Sequence, residues 1–130
     1  MANQANSNLF RGSEDEIVQN LDYLRETGTL SSLGSLLENV LIQPSNRVRK
    51  KILELIADMK NKAATPIIAN FSLTCIDSQI QLELISASWQ SRLDFSDYLQ
   101  RYIDLAINGE LLLVHEVLTL VEENCDRPEQ

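Results

Sequence analysis

Residue types that do covalent or metal chemistry are few in this chain of 130 residues. His115 is the sole histidine, and Glu116 follows it. Such a pair could give ligands to a metal ion. A metal site needs several convergent ligands, however, and one histidine cannot form a histidine cluster within a chain. Cys75 and Cys125 stand fifty residues apart with no C-x-x-C pair. Each reads as a small buried hydrophobe rather than a reactive thiol or half of a disulfide framework. No G-x-S-x-G elbow occurs, and the four glycines form no phosphate-cradling loop. The expectation is therefore no catalytic residue, no metal and no cofactor: not an enzyme.

Charge narrows the partners next. The formal net charge is −8, which disfavours nucleic acid, because that binding rests on neutralising phosphates with Lys and Arg. The same argument disfavours an anionic membrane surface. Six of the eleven basic residues nonetheless fall between Arg47 and Lys62. They read as the solvated face of one helix and the turn after it. A lesser reading is an anion site where Arg47 meets the free N–H groups at that helix start. MANQANSNLFRG lacks the apolar run of a signal peptide, and ELLLVHEVLTLV is too short and too charged to span a bilayer. The expectation is a reduced, cytoplasmic protein with tails at 1–12 and 125–130 and one helical repeat domain at 13–124.

The elements that would position these residues are helices throughout. Val48, Ile52 and Leu55 lie at offsets of zero, four and seven, one apolar stripe of an amphipathic helix. The same offsets recur as Ile17, Leu21 and Leu24, as Ile80, Leu84 and Ala87, and as Leu113, Val117 and Leu120. The four starting points are 31, 32 and 33 residues apart. Between them, Leu33, Leu36, Leu37 and Val40 are echoed by Ala64, Ile67, Ile68 and Phe71, then by Phe95, Tyr98, Leu99 and Tyr102. Ser13 with Glu16, Gly28, Thr65-Pro66, Asp77, Asp94 and Gly109 mark the junctions. Helices are predicted at 14–26, 30–42, 46–60, 66–74, 78–91, 95–107 and 110–124. A helix pair repeating at this length points to an α-solenoid. A closed seven-helix bundle is the competing architecture, and it offers no reason for the constant spacing.

Residues 45–59 with the helix before them resemble a HEAT repeat, whose second helix commonly opens on a Val-Arg pair, here Val48-Arg49. Pro66 in PIIANF stands where that family often carries a proline in its first helix. The resemblance spans residues 14–124 as three helix pairs behind one leading helix. It departs at Gln81 and Val114, which occupy the family's arginine position, so the usual Asp–Arg ladder is not expected. What it implies is an all-α, right-handed superhelix of about seven antiparallel helices. It further implies a non-catalytic protein-binding module or adaptor. In deoxyhypusine hydroxylase, a HEAT-like enzyme, several His-Glu pairs hold two irons. Here the positions equivalent to His115-Glu116 are Gln19-Asn20, Lys50-Lys51 and Leu82-Glu83. The second reading is an accessory or catalytic HEAT-like protein handling a small molecule or cofactor in a pocket near His115.

By the same resemblance the second helices line a concave face, and offsets two, six and nine from each stripe start should point into it. They give Gln19, Tyr23 and Glu26, then Lys50, Glu54 and Ala57, then Leu82, Ser86 and Trp89, and lastly His115, Thr119 and Glu122. Trp89 and Leu82 read as the anchors for a peptide or helix, with Tyr23, Lys50, Glu54 and His115 around them. The competing reading packs Trp89 into the core. The last helix is apolar on nearly every side, where the outer face of a terminal repeat should be polar. Leu111, Leu112, Val114 and Leu118 therefore suggest a homodimer or docking onto another protein. The alternative is a helix wedged into the stack and screened by its own charges.

Overall fold

Capping chemistry sets where the helices begin. The Ser13 N–H donates to Glu16 Oε1 at 2.9 Å, and the Glu16 N–H donates to Ser13 Oγ at 3.2 Å. This is the reciprocal box that the Ser13/Glu16 spacing anticipates. Hydrogen bonding from Ser13, its backbone N–H first and then its hydroxyl, holds the Glu16 carboxyl below its ordinary value. Gly12, just before the box, has φ +96°. A Cβ there would meet Glu16 Oε1 at 2.7 Å, so the turn needs glycine on both counts.

The computed structural model describes residues 10–27, 30–42 and 45–125. Among them, α1 (Glu14–Thr27) is followed by α2 (Leu33–Ile42), α3 (Asn46–Ala57), α4 (Ala64–Thr74), α5 (Ser78–Ser91), α6 (Leu99–Ile107) and α7 (Leu111–Cys125). Short 3₁₀ turns, Leu30–Ser32 and Ser96–Tyr98, lead into α2 and α6. The described residues contain no strand, and no helix is long and apolar enough to cross a membrane. The expected all-α class is what the chain adopts.

Several boundaries differ from the sequence reading: α2 and α6 begin at Leu33 and Leu99, behind their 3₁₀ turns, rather than at 30 and 95, and α1 and α7 shift by one residue. α3 ends at Ala57 rather than 60, closing in a tight turn where the Asp58 N–H bonds the Glu54 carbonyl and the Met59 N–H bonds that of Ile56. α4 starts at Ala64, so Thr65 is not its cap but a buried residue of its first turn, and Ala63 at the N-cap gives no side-chain bond. Starting earlier lets the helix carry Ala64 into the core, and Asn61 Oδ1 accepts the Ala63 N–H instead. Asp77 does cap α5, accepting the Ile80 N–H at 3.0 Å. Gly28 lies outside the described residues.

Packing follows two rows. α1, α3, α5 and α7 pack each against the next, α2, α4 and α6 do the same, and each of α2, α4 and α6 packs on the helix after it. The recurring stripes supply the contacts. Ile17, Leu21, Leu24, Val48, Ile52, Leu55, Ile80, Leu84, Ala87, Val117 and Leu120 are all buried, as are Leu33, Leu36, Leu37, Val40, Ala64, Ile68, Phe95 and Tyr102. Each large aliphatic among them contributes about 1.5–3 kcal/mol by leaving water. Ile67 departs from its stripe and is partly exposed. Phe10, assigned by the sequence to a tail, is half-buried against this core.

One buried polar cluster locks α4, α5 and α6 together. The Ser72 hydroxyl donates to the Ala69 carbonyl, leaving its oxygen to meet the Tyr102 hydroxyl at 2.6 Å. Gln81 Nε2 donates to the Ser72 carbonyl at 2.9 Å. Tyr102 also packs edge-on against Phe95, with ring centroids 6.3 Å apart. Burial pushes the Tyr102 hydroxyl up to about 12.

Candidate interaction site

Side chains that face each other across neighbouring helices decide which surfaces stay open. Between α1 and α3, Arg47 reaches both Asp15 and Glu14, and Lys51 Nζ lies 3.0 Å from Asp22 Oδ1 and 3.5 Å from Glu54 Oε1. The hydrogen bond to Asp22, more than the nearby charges, raises the Lys51 ammonium above its ordinary value. Arg47, the residue considered for an anion site, is thus occupied by two carboxylates. Between α5 and α7, Trp89 Nε1 donates to Glu116 Oε1 at 3.0 Å. Between α3 and α5 the tie is looser, with Arg49 Nε 3.6 Å from Glu83 Oε1.

That looser gap carries a groove of roughly 550 Å³. Its α3 wall is Lys50, Leu53, Glu54, Ala57 and Asp58, and its α5 wall is Glu83, Ser86, Ala87 and Gln90. Small side chains create the space: Ala57, Ser86 and Ala87 stand where larger residues would fill it. Three carboxylates and one ammonium line it, and Arg49 beside Glu83 and Lys51 beside Glu54 bring two further cations to its edge. Leu53, Ala57 and Ala87 give it apolar ground, with amide and hydroxyl groups of Gln90 and Ser86 beside them.

The residues proposed from sequence divide among several places. Lys50 and Glu54 share the groove, with the predicted neighbours Ala57 and Ser86. Trp89 is half-buried, packed on the core and held by Glu116, and it does not line this groove. Leu82 is half-buried in a separate hollow of about 290 Å³ with Leu112 and Leu113, where α5 and α7 begin. Tyr23 and His115 are exposed. Sequence reasoning missed Leu53, Asp58, Glu83, Ala87 and Gln90. A groove between two helices is walled by opposite flanks of each. The later helix therefore presents offsets three, six, seven and ten, not a copy of the earlier helix's two, five, six, nine and ten.

A second surface is apolar. Leu111, Leu112 and Leu118 are 81%, 66% and 53% exposed, and Val114 is also exposed. The structure adds Ile103 and Ile107 from α6, which the sequence reading did not include. Together α6 and α7 form an apolar groove of about 490 Å³.

Reactive groups gather nowhere among the described residues. No three His, Cys, Asp or Glu side chains there could hold one metal ion. Cys75 is half-buried and its thiol is pushed up chiefly by burial. Cys125 is exposed, contrary to the buried placement expected for it, because it ends α7. Compared with known proteins, the chain matches no family model, no curated protein and no solved structure.

Proposed function

We propose that the chain is a non-catalytic protein-interaction module, a short HEAT-like stack that takes a peptide or helix into the groove between α3 and α5. The stack reading is supported by packing in two chain-ordered rows, since a reiterated helix pair covers the oily side of the copy before it. The binding reading rests on one observation: a groove of mixed apolar, polar and charged lining at the predicted Lys50, Glu54, Ala57 and Ser86. Clefts of this kind are where ligands bury most of their surface.

Peptides selected on the natural chain from a displayed library test this. They should lose binding to the Ser86→Trp chain, in which an indole fills the groove. Selected peptides that bind the filled variant as tightly would overturn the assignment, provided circular dichroism shows both chains equally helical.

A further inference from the structure

The joint between α6 and α7 carries a reactive pair of residues. Asn108 precedes Gly109, and no other asparagine of the chain precedes a glycine. Both are exposed, on the turn between Ile107 and Leu111. A backbone nitrogen that follows an asparagine can attack the side-chain carbonyl and close a five-membered ring. A Cβ on the attacking residue hinders that closure, and glycine has none. Packing holds glycine at this position, because a Cβ on Gly109 would meet Leu113 Cδ2 at 2.3 Å. The fold thus keeps an unhindered nitrogen next to the Asn108 carboxamide.

The same turn holds the two groups apart. Ring closure needs the Gly109 nitrogen on the side of Asn108 Cβ, whereas ψ 10° at Asn108 sets it near the Asn108 backbone nitrogen instead. The Gly109 N–H also donates to the Ala106 carbonyl at 3.0 Å. An internal nucleophile gains its rate only in a near-attack geometry, and an amide nitrogen in resonance with its carbonyl is a poor one until it loses its proton. Reaction therefore waits on local opening, which exposed turns undergo far more often than the whole chain unfolds. We propose that Asn108 is a self-modification site gated by the turn between α6 and α7. In the open turn the Gly109 nitrogen gives its proton to hydroxide and bonds to Asn108 Cγ. The Cγ–Nδ2 bond breaks, and its nitrogen takes a proton from water and leaves as ammonia. Water then adds to either carbonyl of the cyclic imide, leaving an aspartyl or a β-aspartyl residue at 108. Either product brings a new carboxylate to the hollow that Asn108 lines with Glu110 and Leu112. The β-aspartyl form also lengthens the main chain ahead of α7 by a methylene.

The full chain, folded or in guanidinium chloride, is incubated between pH 7 and 9, and its peptides are resolved by chromatography and mass spectrometry. The Asn108 peptide should gain the mass of an amide becoming a carboxyl, as two separable products, at a rate that rises with hydroxide. In denaturant it should react ahead of the peptide holding Asn61, which precedes Lys62. The folded chain should react about tenfold or more slowly than the denatured one. Below the unfolding transition that folded rate should change little with guanidinium, since local opening exposes little surface. Asn108→Ser should abolish the gain at this peptide while circular dichroism shows unchanged helix content. No gain in denaturant, or one that persists in Asn108→Ser, overturns the site. Equal rates in the folded and denatured chain, or a folded rate that climbs with guanidinium as steeply as global unfolding, overturns the gate.

Discussion

Replacing Tyr102 by Phe removes one oxygen from the cluster that ties α4, α5 and α6, and its effect should reverse with pH. At pH 8 the variant loses the 2.6 Å bond to Ser72 Oγ and leaves that buried oxygen short of a donor. The cost is about 1–2 kcal/mol. The natural chain carries a liability at high pH that the variant lacks. In the unfolded chain a tyrosine ionises near pH 10, whereas the buried Tyr102 ionises at about 12. A raised value means that the folded state holds the proton longer. The stabilising contribution is therefore complete below pH 10 and declines as pH rises through 12. The full loss is about 3 kcal/mol, and about half of it, roughly 1.4 kcal/mol, has gone by pH 11. The natural chain's advantage over Tyr102→Phe should thus shrink to near zero around pH 11. Urea unfolding of both chains from pH 8 to 11, followed by circular dichroism, measures the difference directly and cancels the lysines and cysteines they share. A gap that stays constant across that range would refute the buried, proton-holding role of Tyr102.

Three further outcomes follow from other contacts. Trp89→Phe and Glu116→Ala should each destabilise the chain, and a double-mutant cycle should give a coupling of about 1–2 kcal/mol, the value of a partly buried bond to a charged acceptor. Arg92 closes α5 with φ +63°, a left-handed position that costs a side-chain residue about 1 kcal/mol, so Arg92→Gly should raise the urea midpoint. Asp77→Ala should lower stability by about 1 kcal/mol through loss of the cap on the Ile80 N–H, while Asp77→Asn, an equally good cap, should change little.

The sequence by itself determined the helices and their inner faces. Apolar residues at a helical period have one way to leave water together, so Val48, Ile52 and Leu55 and their counterparts are buried once the helices form, except Leu113, which is partly buried. Local capping was equally legible at Ser13 and Asp77, because both bonds close within three residues. At Thr65 the same local logic failed, since a tertiary demand to bury Ala64 extended the helix past its expected start. What only the tertiary structure decided is which outward-facing residues meet. Trp89 is bound to Glu116 across 27 positions of sequence, while Ser86, three residues before it, opens onto the groove beside Lys50 and Glu54. Ile103 and Ile107 join the exposed face of α7 for the same kind of reason. Periodicity fixes which side of a helix is oily. The lateral placing of one helix against the next depends on side-chain volumes at the contact, and it decides whether a flank is bridged, left open as a groove or turned to solvent.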